Sequence, residues 1–281
     1  MAIISFWSGE NRESAQTLSM VAVATQMAIE HNYRILVIDA TFQDDTIERC
    51  FWKINQRQNV TKELVGGKLD IASGAEGLVS AIASNRSTPE IIPNYTRVIL
   101  KNRLDILCGL KTKKRDDFQK LLMHYKELLN QANKYYDFVF VDLSKTLKDP
   151  TTKTLLEGST IIVYNFPQNL KLIDSYMEKI ATDQLLLSKS DVIIPLLTNA
   201  DENSKYNVKN ASRYISTKQE LASIPHNSTF MESACEASVA NFFLKTRLSS
   251  TAQDKNGEFI KSVNGVCKQI LMKIEELKYK T

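Results

Sequence analysis

No apolar run in the sequence approaches the roughly 18 residues that a membrane-crossing helix needs, so a spanning helix is excluded. Cysteine is scarce and scattered. Cys50, Cys108, Cys235 and Cys267 show no metal-ligand spacing, which predicts reduced, mostly buried thiols without chemistry. An excess of one charge is also lacking: the net charge is only +4, a poor basis for nucleic-acid binding. The basic residues are spread out, apart from Lys111, Lys113, Lys114 and Arg115. That cluster precedes a helix whose first turn suits Asp116 and Asp117, so a solvated helix entry is favoured over a DNA or acidic-partner patch. No repeat, low-complexity tract or evident linker interrupts the 281 residues, and one domain spanning 1–281 is expected. The N-terminus enters a strand without a basic n-region or cleavage site, which predicts a cytoplasmic protein. A hydrophobic content of 43% with 24% charged residues is ordinary for a globular chain with a large core.

What is present is an alternation of strand and helix. Strands are expected at Ala2–Trp7, Arg34–Asp39, Val98–Leu100, Leu104–Cys108, Asp137–Asp142, Thr160–Tyr164 and Asp191–Pro195, with a short one near Ser223. Helices are expected at Ser14–Glu30, Asp44–Trp52, Glu76–Ser84, Asp116–Asn133, Asn169–Leu187, Asn207–Tyr214, Met231–Phe243 and Gly257–Lys278. Several strands are continuous Val/Ile/Leu runs, as parallel strands covered on both faces require. The fold class is therefore α/β, a doubly wound, mostly parallel sheet with helices on both faces and right-handed crossovers. Asn55 to Pro93 has weak periodicity and receives no assignment.

The first strand leads into Ser8-Gly9-Glu10-Asn11-Arg12-Glu13-Ser14-Ala15-Gln16-Thr17, in the place of a phosphate-binding loop. A loop of the G-x-x-x-x-G-K-[ST] type cradles phosphates on glycine-freed N–H groups, adds a lysine for the β/γ-phosphates and a hydroxyl for Mg²⁺. Here Thr17 fills the hydroxyl place, Gln16 the lysine place and Ala15 the last-glycine place. Two further strands end in Asp39 and Asp142, and in a parallel sheet such ends share the rim where ligands bind. Each aspartate alone also suits a turn or a helix cap.

The chain resembles the ParA/MinD family of deviant-Walker ATPases over nearly its whole length. The family pattern K-G-G-x-G-K-[ST] falls on Asn11 to Thr17, its D-x-D-P-Q on Asp39 to Gln43, and its Walker B strand on Tyr136 to Asp142. Asn199 stands where the family often has a base-contacting Asn. Ile224-Pro225-His226-Asn227, followed by Val239 to Leu244, is similar to its late segment. The resemblance implies a P-loop NTPase fold, a cofactor site for ATP and Mg²⁺ and a nucleotide-sandwich homodimer. It places Asn11, Arg12, Glu13, Ser14, Ala15, Gln16, Thr17, Asp39, Asp142 and Asn199 around nucleotide, with Thr17 and Asp39 at the metal. No catalytic residue is assigned.

Both lysine positions, Asn11 and Gln16, are neutral, and Thr41 replaces the second aspartate of the Asp39 motif. Glu10 and Glu13 against Arg12 leave the loop about one charge negative, facing a triphosphate of about four negative charges. The expectation is a pseudo-ATPase with a degenerate Walker A loop: a positioning scaffold, analogous to TadZ-like pilus-localisation proteins, that binds nucleotide weakly or not at all. The chain has no room for the receiver-like domain that many TadZ proteins carry ahead of the loop. The alternative is an active ATPase that uses Arg12 and Thr17. Glu10 or Glu13 either folds over the helix start as a phosphate mimic or points to water. The expected partner is a protein cargo or adaptor. Ile260, Val263, Val266, Ile270, Ile274 and Leu277 form one face of the last helix, with Lys261, Lys268, Lys273, Lys278 and Lys280 elsewhere. Packing on the sheet explains that face better than peripheral membrane contact.

Overall fold

The computed structural model describes residues 1–9, 14–42, 44–53, 74–84, 88–144, 147, 149–216, 221–249 and 254–280. Its centre is an eight-stranded sheet of order β3-β4-β2-β5-β1-β6-β7-β8. The strands are β1 (Ala2–Trp7), β2 (Ile35–Ala40), β3 (Arg97–Leu100), β4 (Leu104–Leu107), β5 (Phe138–Leu143), β6 (Ile161–Pro167), β7 (Ile193–Ala200) and β8 (Ala222–Pro225). All pairings are parallel except β3 with β4. Every residue of β1, β2 and β5 is buried, which explains why these strands read as unbroken apolar runs.

Successive side chains of β1 enter opposite cores, as strand periodicity dictates. Ile3 and Trp7 join a cluster with α3 (Ala75–Ala83), α4 (Arg115–Leu122), α5 (Tyr125–Tyr135), α6 (Pro150–Gly158), α7 (Leu170–Thr182), α8 (Gln184–Ser188) and α9 (Val208–Ile215). Ala2, Ile4 and Phe6 join the other, with α1 (Gln16–Glu30), α10 (Ser228–Cys235), α11 (Val239–Ser249) and α12 (Lys255–Lys280). A short α2 (Thr46–Arg49) follows β2. These are the helix-covered faces expected of a doubly wound sheet.

Several boundaries depart from expectation, each for a local reason. The helix expected over 116–133 is two helices, α4 and α5, separated at Met123 and His124. The break leaves Met123 exposed and turns Tyr125 wholly into the core. The helix expected over 169–187 stops at Asp183, whose carboxylate accepts from Leu185 N and Leu186 N and so caps a new helix, α8. The helix expected over 231–243 starts earlier, because Asn227 Oδ1 caps it through Phe230 N at 2.7 Å. It ends at Cys235, before Ala237 at φ 60 opens a second helix.

The helix expected over 44–52 shortens to α2, while α1 begins at Gln16 rather than Ser14. The strand expected over 191–195 begins after a 3-10 turn and runs on to Ala200, and β6 likewise continues to Pro167. Cys50, Cys108 and Cys267 are buried free thiols, whereas Cys235 is exposed. On α12, Val263, Val266, Ile270 and Ile274 are buried in the core. Lys273, expected off that face, is buried as well and pairs with Glu276 at 3.0 Å.

Candidate nucleotide-loop site

The site lies where β1, β2 and β5 end side by side. After β1 the chain passes Ser8 and Gly9, the latter at φ 60. Asn11, Arg12 and Glu13, with Glu10, lie outside the described residues, so the carboxylate-plug expectation does too. The chain is described again at Ser14, which is buried with its hydroxyl unpartnered among the described residues. Ala15 then adopts φ 47 and ψ 29, the left-handed region. An L-residue pays about 1–2 kcal/mol there, so the glycine-like turn of a phosphate loop is kept without the glycine. Among the described residues, neither Ala15 nor a first-turn carboxylate caps the first N–H groups of the helix.

Gln16, in the lysine place, turns into the end of β5. Its amide Nε2 donates to Asp142 Oδ1 at 2.5 Å and to the Leu143 carbonyl at 2.8 Å. Its Oε1 is buried without a partner among the described residues. Thr17 Oγ1 donates to Asp142 Oδ2 at 2.5 Å. Both oxygens of Asp142 thus accept from α1, which locks the helix start onto the end of β5.

Asp39 stands beside Asp142 in the β2–β5 register and is 3% exposed. Its Oδ1 accepts from Thr41 N at 2.8 Å and Thr41 Oγ1 at 2.6 Å. Burial, and then the neighbouring Asp142, pushes the Asp39 carboxyl well above the ordinary carboxylate range, although the Thr41 hydrogen bonds oppose the shift. Thr17 and Asp39, the two expected metal ligands, therefore meet through Asp142, one by hydrogen bond and one by register. Among the described residues no group of three or more His, Cys, Asp or Glu is placed to hold a metal ion.

Asn199 sits at the end of β7 at φ 51. With Ala15, Leu18, Pro225, Asn227 and Met231 it lines a crevice of about 50 Å³. The fold thus brings Asn199 to the start of α1.

Sequence reasoning missed three neighbours of the site. Tyr125 donates its hydroxyl to the Asp39 carbonyl at 3.2 Å. A Cβ on Gly109 would lie 2.7 Å from Asp39 Oδ2, so that glycine permits the close approach, and its place just after a strand was the available signal. Lys179, on α7, donates to the Gly9 carbonyl at 2.8 Å. It sits in the last turn of that helix, where nothing in the sequence points to the loop.

No family model matches the sequence, and no curated protein matches it. Solved structures do. A ParA family ATPase from Chlorobium tepidum superposes with a TM-score of 0.66 at 14% identity, over 94% of this chain and 96% of that one. The septum site-determining protein MinD from Pyrococcus horikoshii, complexed with Mg-ADP, gives 0.64 at 14% identity, over 97% and 98%. A putative plasmid partition protein from Borrelia burgdorferi, bound to AMPPNP, gives 0.61 at 16% identity, over 97% and 98%. The chain has the P-loop fold of the ParA/MinD ATPases.

Proposed function

We propose that this chain is a positioning or scaffold protein of ParA/MinD type whose ATP site is degenerate, with weak or absent nucleotide binding and little hydrolysis. The observation that carries this reading is Gln16: the side chain in the lysine place is neutral and committed to Asp142 and the Leu143 carbonyl. A charge-assisted hydrogen bond contributes about 1.5–3 kcal/mol, so losing one lysine contact weakens a triphosphate by roughly one to two orders of magnitude. The Thr17 hydroxyl proton is likewise directed to Asp142. A crevice of about 50 Å³ beside Asn199 is also small against the several hundred Å³ typical of ligand sites. Ala15 keeps a left-handed turn at the helix start, but the neutral Gln16 side chain does not fit the contact a lysine makes to a triphosphate.

What the fold retains is the rim at the strand ends and the helices around it. On this reading the protein acts through homodimer and partner contacts, placing a protein cargo or adaptor, in the cytoplasm as one domain. The buried stripe on α12 supports packing rather than membrane contact for that helix. Thermal denaturation with and without Mg-ATP, run beside a phosphate-release assay, tests the reading. No shift and no release above a heat-treated control are expected. A magnesium-dependent shift with turnover would establish instead the active ATPase.

A further inference from the structure

Two of the four cysteines meet at one seam, where the end of α2 touches the turn between α10 and α11. Cys50 is the C-cap residue of α2 and is buried, and its carbonyl accepts from Val239 N at 3.2 Å. Cys235 ends α10, four positions before Val239, and is exposed. A compact turn joins the two positions: Ser238 N donates to the Ser233 carbonyl at 2.9 Å, and Ala237 takes φ 60. Ala234 and Val239, on either side of Cys235, are buried in the same apolar cluster as Ile47 and Cys50. The two sulfurs are near enough to interact, since burial, and then Cys235, pushes the Cys50 thiol up to about 12. The other cysteines sit elsewhere. Cys267 Sγ donates to the Val23 carbonyl at 3.6 Å, and Cys108 is buried beside Glu48.

We propose that Cys50 and Cys235 are an oxidant-sensitive dithiol: hydrogen peroxide converts the exposed Cys235 to a sulfenic acid, and Cys50 then closes a disulfide that ties α2 to α10. In the first step one peroxide oxygen passes to Cys235 Sγ and water is released. In the second, Cys50 Sγ attacks Cys235 Sγ, the S–O bond breaks, and the hydroxyl leaves as a second water with the Cys50 proton. Two thiols lose two electrons and two protons while one peroxide becomes two waters. Because the thiolate is the nucleophile, burial at Cys50 makes closure the slow step. Cys235 is the sensing sulfur and Cys50 the resolving one. The bond fastens the segment that follows β2 to the helical layer over α1, and it closes a long loop, the kind of cross-link that most restricts the unfolded chain. Neither cysteine is assigned to nucleotide, so the pair stands or falls independently of the ATP-loop reading.

Titration of the reduced full chain with hydrogen peroxide, followed by thiol alkylation and non-reducing peptide mass spectrometry, tests the proposal. The Cys50 and Cys235 peptides should be joined within one chain, with Cys108 and Cys267 alkylated. The oxidised protein should melt several degrees above the reduced one, and dithiothreitol should reverse the shift. Cys50→Ala should strand Cys235 as a sulfenic acid, with dimedone labelling at least about fivefold above that of the wild type. Cys235→Ser should leave Cys50 a free thiol, alkylated only once the chain is unfolded. The wild-type cross-link is read directly and decides the matter if either variant does not fold. Peroxide that leaves Cys235 untouched, carries it to a sulfinic acid, or joins it to a second chain while Cys50 stays free would overturn the pair. So would cross-links to Cys108 or Cys267 in equal yield.

Discussion

Asp39 and Asp142 stand side by side at the ends of neighbouring parallel strands, both buried, and the hydrogen bonds described at their carboxylates come from neutral groups, Thr41 to one and Gln16 and Thr17 to the other. Two adjacent buried carboxylates disfavour double ionisation, and burial joined by Asp142 raises the Asp39 carboxyl. The native state therefore holds a proton that the unfolded chain releases. Stability from this group is fully present below the ordinary carboxylate value of 3.8 and declines as pH rises towards the raised native value.

Asp39→Asn should keep an acceptor for Thr41 and remove that loss. At neutral pH the variant is expected to be more stable by about 1–2 kcal/mol, with the advantage shrinking as pH falls towards 4. Urea denaturation of both proteins across that range checks it. A constant difference at every pH would show that the proton is not involved.

Ala15→Gly should stabilise the fold. The left-handed turn at φ 47 costs alanine about 1–2 kcal/mol, and glycine's extra unfolded-state entropy returns part of that, leaving a gain of about 0.5–1 kcal/mol. A lower urea midpoint in the variant would count against the assigned turn.

Gly109→Ala is expected to act in the opposite direction. The new Cβ meets the Asp39 carboxylate at 2.7 Å, and relieving such a contact in a packed rim costs about 1–3 kcal/mol. An unchanged midpoint would show that the Asp39 side chain has room to move.

Asp183→Ala should cost about 1 kcal/mol by removing the cap of α8, since its carboxylate accepts from both Leu185 N and Leu186 N. Loss of helical signal confined to a fraction of a turn, with an unchanged midpoint, would place the cap outside the stability of the fold.

The sheet was legible because its strands are buried on both faces, so Ile35 to Ala40 and Phe138 to Leu143 carry the apolar signal without interruption. Helix ends were less legible. Asp183 and Asn227 act as caps inside stretches that read as continuous helix, and capping is decided by one side chain against two or three N–H groups. The clustering of Gln16, Thr17, Asp39 and Asp142 followed from strand ends sharing one rim. That Gln16 would turn into β5 did not follow from the sequence, because amide orientation depends on acceptors 126 and 127 residues away. Lys179 and Tyr164 reach Gly9 across comparable separations, and no local pattern encodes such contacts.

Restoring the loop should restore part of the affinity. Gln16→Lys with Glu13→Gly and Arg12→Gly returns a cation and backbone freedom to a turn that Ala15 already holds in shape, with an expected gain of at least about tenfold in Mg-ATP affinity. No gain in a folded variant would mean that more than the loop has been lost.

The central claim, that Gln16 has replaced the phosphate-binding charge, is tested most directly by calorimetric titration of Mg-ATP into the wild-type chain. The account predicts no saturable heat at micromolar to sub-millimolar nucleotide. A stoichiometric isotherm with a micromolar Kd would contradict it.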